Sequence, residues 1–207
     1  MSSPRSLAAL VAVAGGLALV GALPAPAQAP QAGPRVMPHG MPKTPAEREK
    51  ILSDLYAHLA ASTDEESAKA VADAIERVWL NSGSDTIDLL MERSMKAVAD
   101  KKLDLALKLL DHVVALAPDF TEAWNRRAYV HYRMNKVDLA LGDLRRTLAL
   151  DANHFKALDG LAQILREIGQ KKPALKAFKQ LLDVHPYWSG AQEAADELGR
   201  EVDGQGI

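Results

Sequence analysis

The chain has 207 residues, with 25 Lys and Arg against 27 Asp and Glu, 48% hydrophobic residues and no cysteine. That is ordinary globular composition, long enough for one or two domains with their own core, and it excludes a disordered or collagenous chain. A net charge of −2 lacks the dense basic face of a nucleic-acid binder, and the absence of cysteine excludes thiolate zinc sites, disulfide scaffolds, thiol catalysis and a lipobox anchor.

Residues 1–29 have the order of an export signal. Arg5 gives a short positive start, Leu7 to Val20 is apolar apart from Gly15 and Gly16, and small residues and prolines follow. An A-x-A match at Ala25-Pro26-Ala27 predicts cleavage after Ala27. The second match, Ala27-Gln28-Ala29, is disfavoured because Pro30 would follow the cut. The alternative is an uncleaved anchor, since Leu7 to Leu23 lies at the lower edge of a membrane-spanning length. Both readings deliver the rest of the chain to a bacterial periplasm.

Residues 28–43 read as a linker. Pro30, Pro34, Pro38 and Pro42 recur every fourth residue, which fixes φ and removes donors from any helix or sheet. Met37, His39 and Met41 are ligand types that suit Cu(I), but three such residues in a proline-rich strip are read as incidental to a tether. No metal or cofactor is expected.

From Thr44 onward the pattern is helical. Thr44-Pro45-Ala46-Glu47 is a capping box with proline at the first helical position, followed by Ile51, Leu52, Leu55 and Leu59 on one face. Thr63 with Glu66 predicts a second start. Ala68, Val71, Ala72, Ile75, Val78 and Trp79 form its stripe, and Asn81-Ser82-Gly83 ends it. Residues 44–82 are therefore an antiparallel helical hairpin.

Sliding the chain by 34 residues aligns Leu90, Trp124 and Leu158, then the small residues Ser94, Ala128 and Ala162. Ala106, Ala140 and Ala174 also align, as do Leu110, Leu144 and Phe178, and Pro118, Ala152 and Pro186. Small residues at those points let two helices cross closely. The tight turn within each unit needs a left-handed residue, which Asn135 and Gly169 suit and Lys101 does not, so a distorted first turn is expected. After Trp188, Ala191, Ala194, Ala195, Leu198 and Val202 make a short amphipathic helix over 189–202 that caps the array.

This gapless period resembles the tetratricopeptide repeat, with units 87–120, 121–154 and 155–188. The chain as a whole resembles small exported tetratricopeptide proteins of alphaproteobacteria. The resemblance implies an all-α fold, an α-solenoid of helix hairpins with a divergent N-terminal hairpin, in which each unit buries its face on its neighbours. In the second unit Arg127 and His131 replace residues usually apolar and aromatic in this family. Arg127 either sends its head to solvent or pairs with Asp111 or Asp143, and His131 is either packed or pH-responsive.

No catalytic spacing of the common hydrolase, kinase or metalloprotease types occurs, so no enzyme is expected. What the resemblance implies instead is a concave groove, lined by the first helix of each unit, that holds a peptide or protein segment. Carried over by position, it is lined by Asp88, Met91, Glu92 and Met95, then by Glu122, Asn125, Arg126, Tyr129 and Arg133, and then by Lys156, Asp159, Gln163 and Arg166. Tyrosine, methionine and arginine are common interface anchors. The dicarboxylate clamp of chaperone co-factor repeats is not matched. Met91 and Met95 stand where that clamp has lysine and asparagine, and Gly160 where it has arginine. The expected partner is a protein or peptide, not nucleic acid, with membrane contact only through an uncleaved N-terminal segment. A membrane-anchored assembly subunit of an envelope complex is the alternative function.

Overall fold

The computed structural model describes residues 41, 42 and 44–204, all within one compact unit. The export signal, its cleavage point and the Met37/His39 pair lie outside the described residues. Within them are nine α-helices. They are α1 (Pro45–Ala60), α2 (Glu65–Leu80), α3 (Asp85–Ala99), α4 (Leu103–Leu116), α5 (Thr121–Arg133), α6 (Val137–Leu150), α7 (Phe155–Glu167), α8 (Lys171–Val184) and α9 (Ala191–Gly204).

Local sequence explains where these helices start. The Thr44 side chain accepts the Glu47 N–H at 3.1 Å, with Pro45 in the first turn, as the capping box predicts. The second start is one residue later than expected. Asp64, not Thr63, caps α2 by accepting the Ser67 N–H at 2.7 Å, because a carboxylate is the stronger acceptor at a helix N-terminus.

The pairs α3–α4, α5–α6 and α7–α8 keep the repeat to the residue, since their second helices begin at Leu103, Val137 and Lys171. Ser94, Ala128 and Ala162 on the first helices and Ala106, Ala140 and Ala174 on the second are all buried, consistent with the close helix crossing that small side chains allow. The expected distortion at Lys101 is absent. Lys101 takes the left-handed conformation with φ 61°, beside 59° at Asn135 and 77° at Gly169. The next N–H reaches back five residues in all three turns, to Ala97, His131 and Leu165, each at 2.8 Å. Packing of α3 on α4 imposes the turn despite the poor residue.

The N-terminal hairpin does not stack in front of the first repeat as a solenoid unit would. α1 packs on α8 and α2 on α5, so Leu55, Leu59, Ile75 and Trp79 share one core with Phe155, Leu158 and Phe178. A second core joins α3 and α4 to the start of the next repeat through Ile87, Leu110, Phe120 and Ala123. The reason lies on the leading face of α3. Phe120 and His154, Ala123 and Ala157, and Val130 and Ile164 are buried against the preceding unit, but the equivalent Thr86, Leu89 and Lys96 are exposed. A lysine at that position cannot be covered cheaply, so the array begins at α3.

Candidate functional site

The first helices of the second and third repeats, α5 and α7, frame a cavity of about 610 Å³. One wall is Glu122, Asn125, Arg126, Tyr129 and Tyr132 from α5. The other is Lys156, Asp159, Gly160, Gln163 and Glu167 from α7, with Trp188 at the far side. On α7 these positions fall three or four residues apart, so they share one face. Ala128, Leu144 and Ile164 supply an apolar floor. The α9 cap, beginning at Ala191, follows the loop that carries Trp188.

A buried polar network holds the base of this groove. Glu122, at the N-terminus of α5, is 2% exposed. Its carboxylate accepts the Arg126 Nε–H at 2.6 Å and the Asn125 amide at 2.9 Å. His154 Nδ1 accepts the Ala157 N–H at 3.3 Å, which leaves Nε2 to donate to Glu122 at 3.1 Å. Burial would raise the Glu122 pKa, but the hydrogen bonds and charges of His154 and Arg126 outweigh it and hold the group down at about 2. The site is thus built around a permanent carboxylate that is already satisfied.

The hairpin braces the same base. Trp79 Nε1–H donates to the Tyr56 hydroxyl at 3.1 Å, and Tyr56 donates to Asp151. Burial raises the Tyr56 pKa, and the neighbouring Asp151 raises it further, so the phenol remains a donor. Glu76 of α2 pairs with Lys156 at 2.7 Å. Across the other end of the groove, Tyr132 donates to Glu167 at 2.8 Å and ties α5 to α7.

Of the thirteen residues that the sequence places in the groove, seven line this cavity: Glu122, Asn125, Arg126, Tyr129, Lys156, Asp159 and Gln163. Met95 lines a smaller crevice of about 90 Å³ between α3 and α5, which Arg126 and Tyr129 also touch. Met91 is a correction. It is 2% exposed and belongs to the core of the first repeat, because α3 carries an apolar side chain where the other units have the polar, partly exposed Asn125 and Asp159. Asp88 is turned to the loop before α3, where it accepts the Ser82 N–H at 2.9 Å and the Ser82 hydroxyl. Glu92 is exposed and lines neither cavity. Arg133 lies over the Tyr129 ring and donates to its hydroxyl at 2.6 Å, and Arg166 donates to Gln163 at 2.8 Å; neither lines the cavity.

Tyr132, Glu167 and Trp188 also line the cavity and are not among the groove residues that the sequence predicts; Gly160, which it marks only as a missing clamp arginine, lines it as well. The cavity is framed by the facing sides of α5 and α7. Each residue step turns a helix by about 100°, so Tyr132 and Glu167 face it while Arg133 and Arg166 turn away. Repeat equivalence alone does not reveal this, since Tyr132 lines the cavity and its equivalent Arg166 does not.

Arg127 resolves as a partly buried ion pair. It grips Asp143 through two nitrogens at 2.8 Å each and reaches Asp111 at 3.0 Å, with Trp124 stacked on its guanidinium at 4.7 Å. His131 is packed beside it, 3.7 Å from Asp143, and burial lowers its pKa against the pull of that carboxylate. Among the described residues no three His, Asp or Glu side chains converge as a metal-binding group.

No family model matches the chain. It is 35% identical over 181 residues to a TPR repeat-containing protein of Rhizobium etli, an alignment that covers 87% of each. Among solved structures, the first TPR of Spaghetti (RPAP3) bound to an HSP90 peptide is similar with a TM-score of 0.55 and 19% identity, over 58% of this chain and 95% of that one. MamA is similar with a TM-score of 0.54 and 18% identity, over 68% of this chain and 84% of that one. With three gapless helix pairs, left-handed turns at equivalent positions and a relative matched along most of its length, the chain belongs to the tetratricopeptide repeat-containing proteins.

Proposed function

We propose that this protein binds an extended segment of a partner protein between α5 and α7 and carries out no chemistry on it. The observation that carries this reading is the 610 Å³ cavity itself, with an apolar floor and three aromatic side chains, Tyr129, Tyr132 and Trp188, at its walls. Rings of this kind bury area at low entropic cost, which makes them binding anchors. The base needs no ligand to be satisfied, since Glu122 is already ion-paired with Arg126 and accepts hydrogen bonds from Asn125 and His154. Interaction with proteins is also what tetratricopeptide repeats are used for. The segment is not read as a dicarboxylate chaperone tail, because Met91 is core, Met95 carries no charge and Gly160 offers no cation.

The working compartment proposed is the periplasm, on the strength of the signal-like order of residues 1–27. The alternative placement is the inner membrane, facing the periplasm through an uncleaved segment.

A photo-crosslinking amino acid placed at Tyr129 or Gln163, in the intact cell, tests the groove directly. It should capture one stoichiometric partner that the same group at Leu139, exposed on α6, does not. Tyr129→Ala with Arg133→Ala should weaken that capture while the helical circular dichroism stays unchanged. Equal capture from Leu139 would move the site elsewhere. The same purified chain gives the N-terminus: Gln28 supports cleaved export, and Met1 in the membrane fraction supports the anchored alternative.

A further inference from the structure

Both cations in the cavity wall are already taken. Arg126 is held by Glu122 at 2.6 Å and Lys156 by Glu76 at 2.7 Å. Asp159 has no such partner. Among the described residues no Lys, Arg or His nitrogen lies within 4.0 Å of its carboxylate. Its donors are neutral ones, the Gln163 amide at 3.4 Å and Trp188. Burial raises its pKa, and Gln163, Trp188 and the charge of Arg166 oppose that only in part. A carboxylate in that state is short of solvation and of countercharge.

Apolar surface lies next to it. Gly160 presents no side chain, and a Cβ placed there would meet only the Leu144 methyls, at 3.5 and 3.7 Å. Leu144 therefore lines the cavity floor at Gly160, with Ile164 in the same floor and Tyr129 and Trp188 at the walls. An aliphatic surface leading to an uncompensated carboxylate, under aromatic rings, matches one kind of side chain: a long apolar stem with a cation at its end.

We propose that this subsite takes a lysine or arginine of the bound segment, its stem on Leu144 and Ile164 and its cation paired with Asp159. The inference rests on the groove reading above and adds its specificity. A purely apolar side chain would strip Asp159 of its remaining water with nothing in return, and an acidic one would be repelled. Glu167, two turns along α7 and about 12 Å away, is engaged by Tyr132 and belongs to a separate position.

Selection of a displayed random peptide library on the full chain separates the two claims. Peptides whose binding is lost in Tyr129→Ala/Tyr132→Ala are groove binders. These should carry a lysine or arginine at a fixed position, and norleucine there should weaken binding by about tenfold or more on the unaltered protein. Asp159→Asn should cause the same loss, and Asp159→Lys should turn the selection towards acidic residues. Groove binders that lack a basic residue and bind Asp159→Asn equally well would overturn the cationic subsite and leave the groove standing. A library that yields no groove binder would overturn both.

Discussion

Trp79 of α2 and His154 at the head of α7 stack face to face, with ring centroids 3.7 Å apart and planes 6° from parallel. Through this pair the N-terminal hairpin reaches past the first repeat and locks onto the third. Phe155 meets the same indole at 4.6 Å, and the Trp79 N–H is satisfied by Tyr56. The hairpin thus braces the groove base: the ring that covers His154 also shields the His154–Glu122 bond from water.

Trp79→Ala should cost about 3–5 kcal/mol of stability, as expected for a buried tryptophan whose cavity cannot collapse. Urea denaturation gives the magnitude. Amide exchange should show the loss concentrated in α1, α2 and the N-terminal turn of α7, with α3 and α4 little changed because they belong to the other core.

Acid should weaken the protein through Glu122. Its folded pKa of about 2 lies below the ordinary 4.5, so its stabilising contribution is complete above pH 4.5 and fades as pH falls towards 2. In that window the unfolded chain takes up the proton first. Glu122→Gln should cost about 1–3 kcal/mol near neutrality, by leaving its buried donors poorly matched. The gap between the two proteins should narrow in urea titrations from pH 5 to pH 3, and a gap independent of pH would refute the assignment.

Arg127→Met should cost about 3–5 kcal/mol, because Asp143, only 6% exposed, would lose its bidentate partner and stay buried with its charge. Adding Asp143→Leu should recover most of the loss. Arg127→Lys should fall between, since one ammonium cannot span both carboxylate oxygens. Thermal or chemical denaturation of the three variants gives the order.

Lys101→Gly should stabilise by about 1 kcal/mol, since the left-handed conformation strains a side chain by more than glycine loses in chain entropy. Asn135→Gly, at the equivalent turn, should gain less, because asparagine tolerates that region. Equal midpoints for Lys101→Gly and the unaltered protein would show that the turn carries no strain.

Much of this architecture was legible in the sequence, because it is encoded locally. The period that aligns Ala106, Ala140 and Ala174 reappears as three turns closed by the same backbone hydrogen bond, and the capping box at Thr44 starts α1 as its pattern predicts. Helix faces follow from a fixed rotation per residue, so seven of the thirteen groove residues could be placed by position alone. The departure at Arg127 was visible too, with both of its carboxylate partners among the candidates.

What no local pattern contained was which distant faces would meet. An amphipathic hairpin shows that α1 and α2 bury a stripe, but not whether α3 or α8 receives it. Only packing against His154 and Phe155 decides that, and Lys96 on α3 removes the competing surface. The same limit explains why Tyr132 rather than Arg133 faces the cavity, and why Asp159 lacks the countercharge that Lys156 finds in Glu76. Helix position and periodicity arise from interactions within a few turns of chain, which the sequence spells out. Side-chain burial and charge balance depend on the summed field of neighbours brought together only by the tertiary fold.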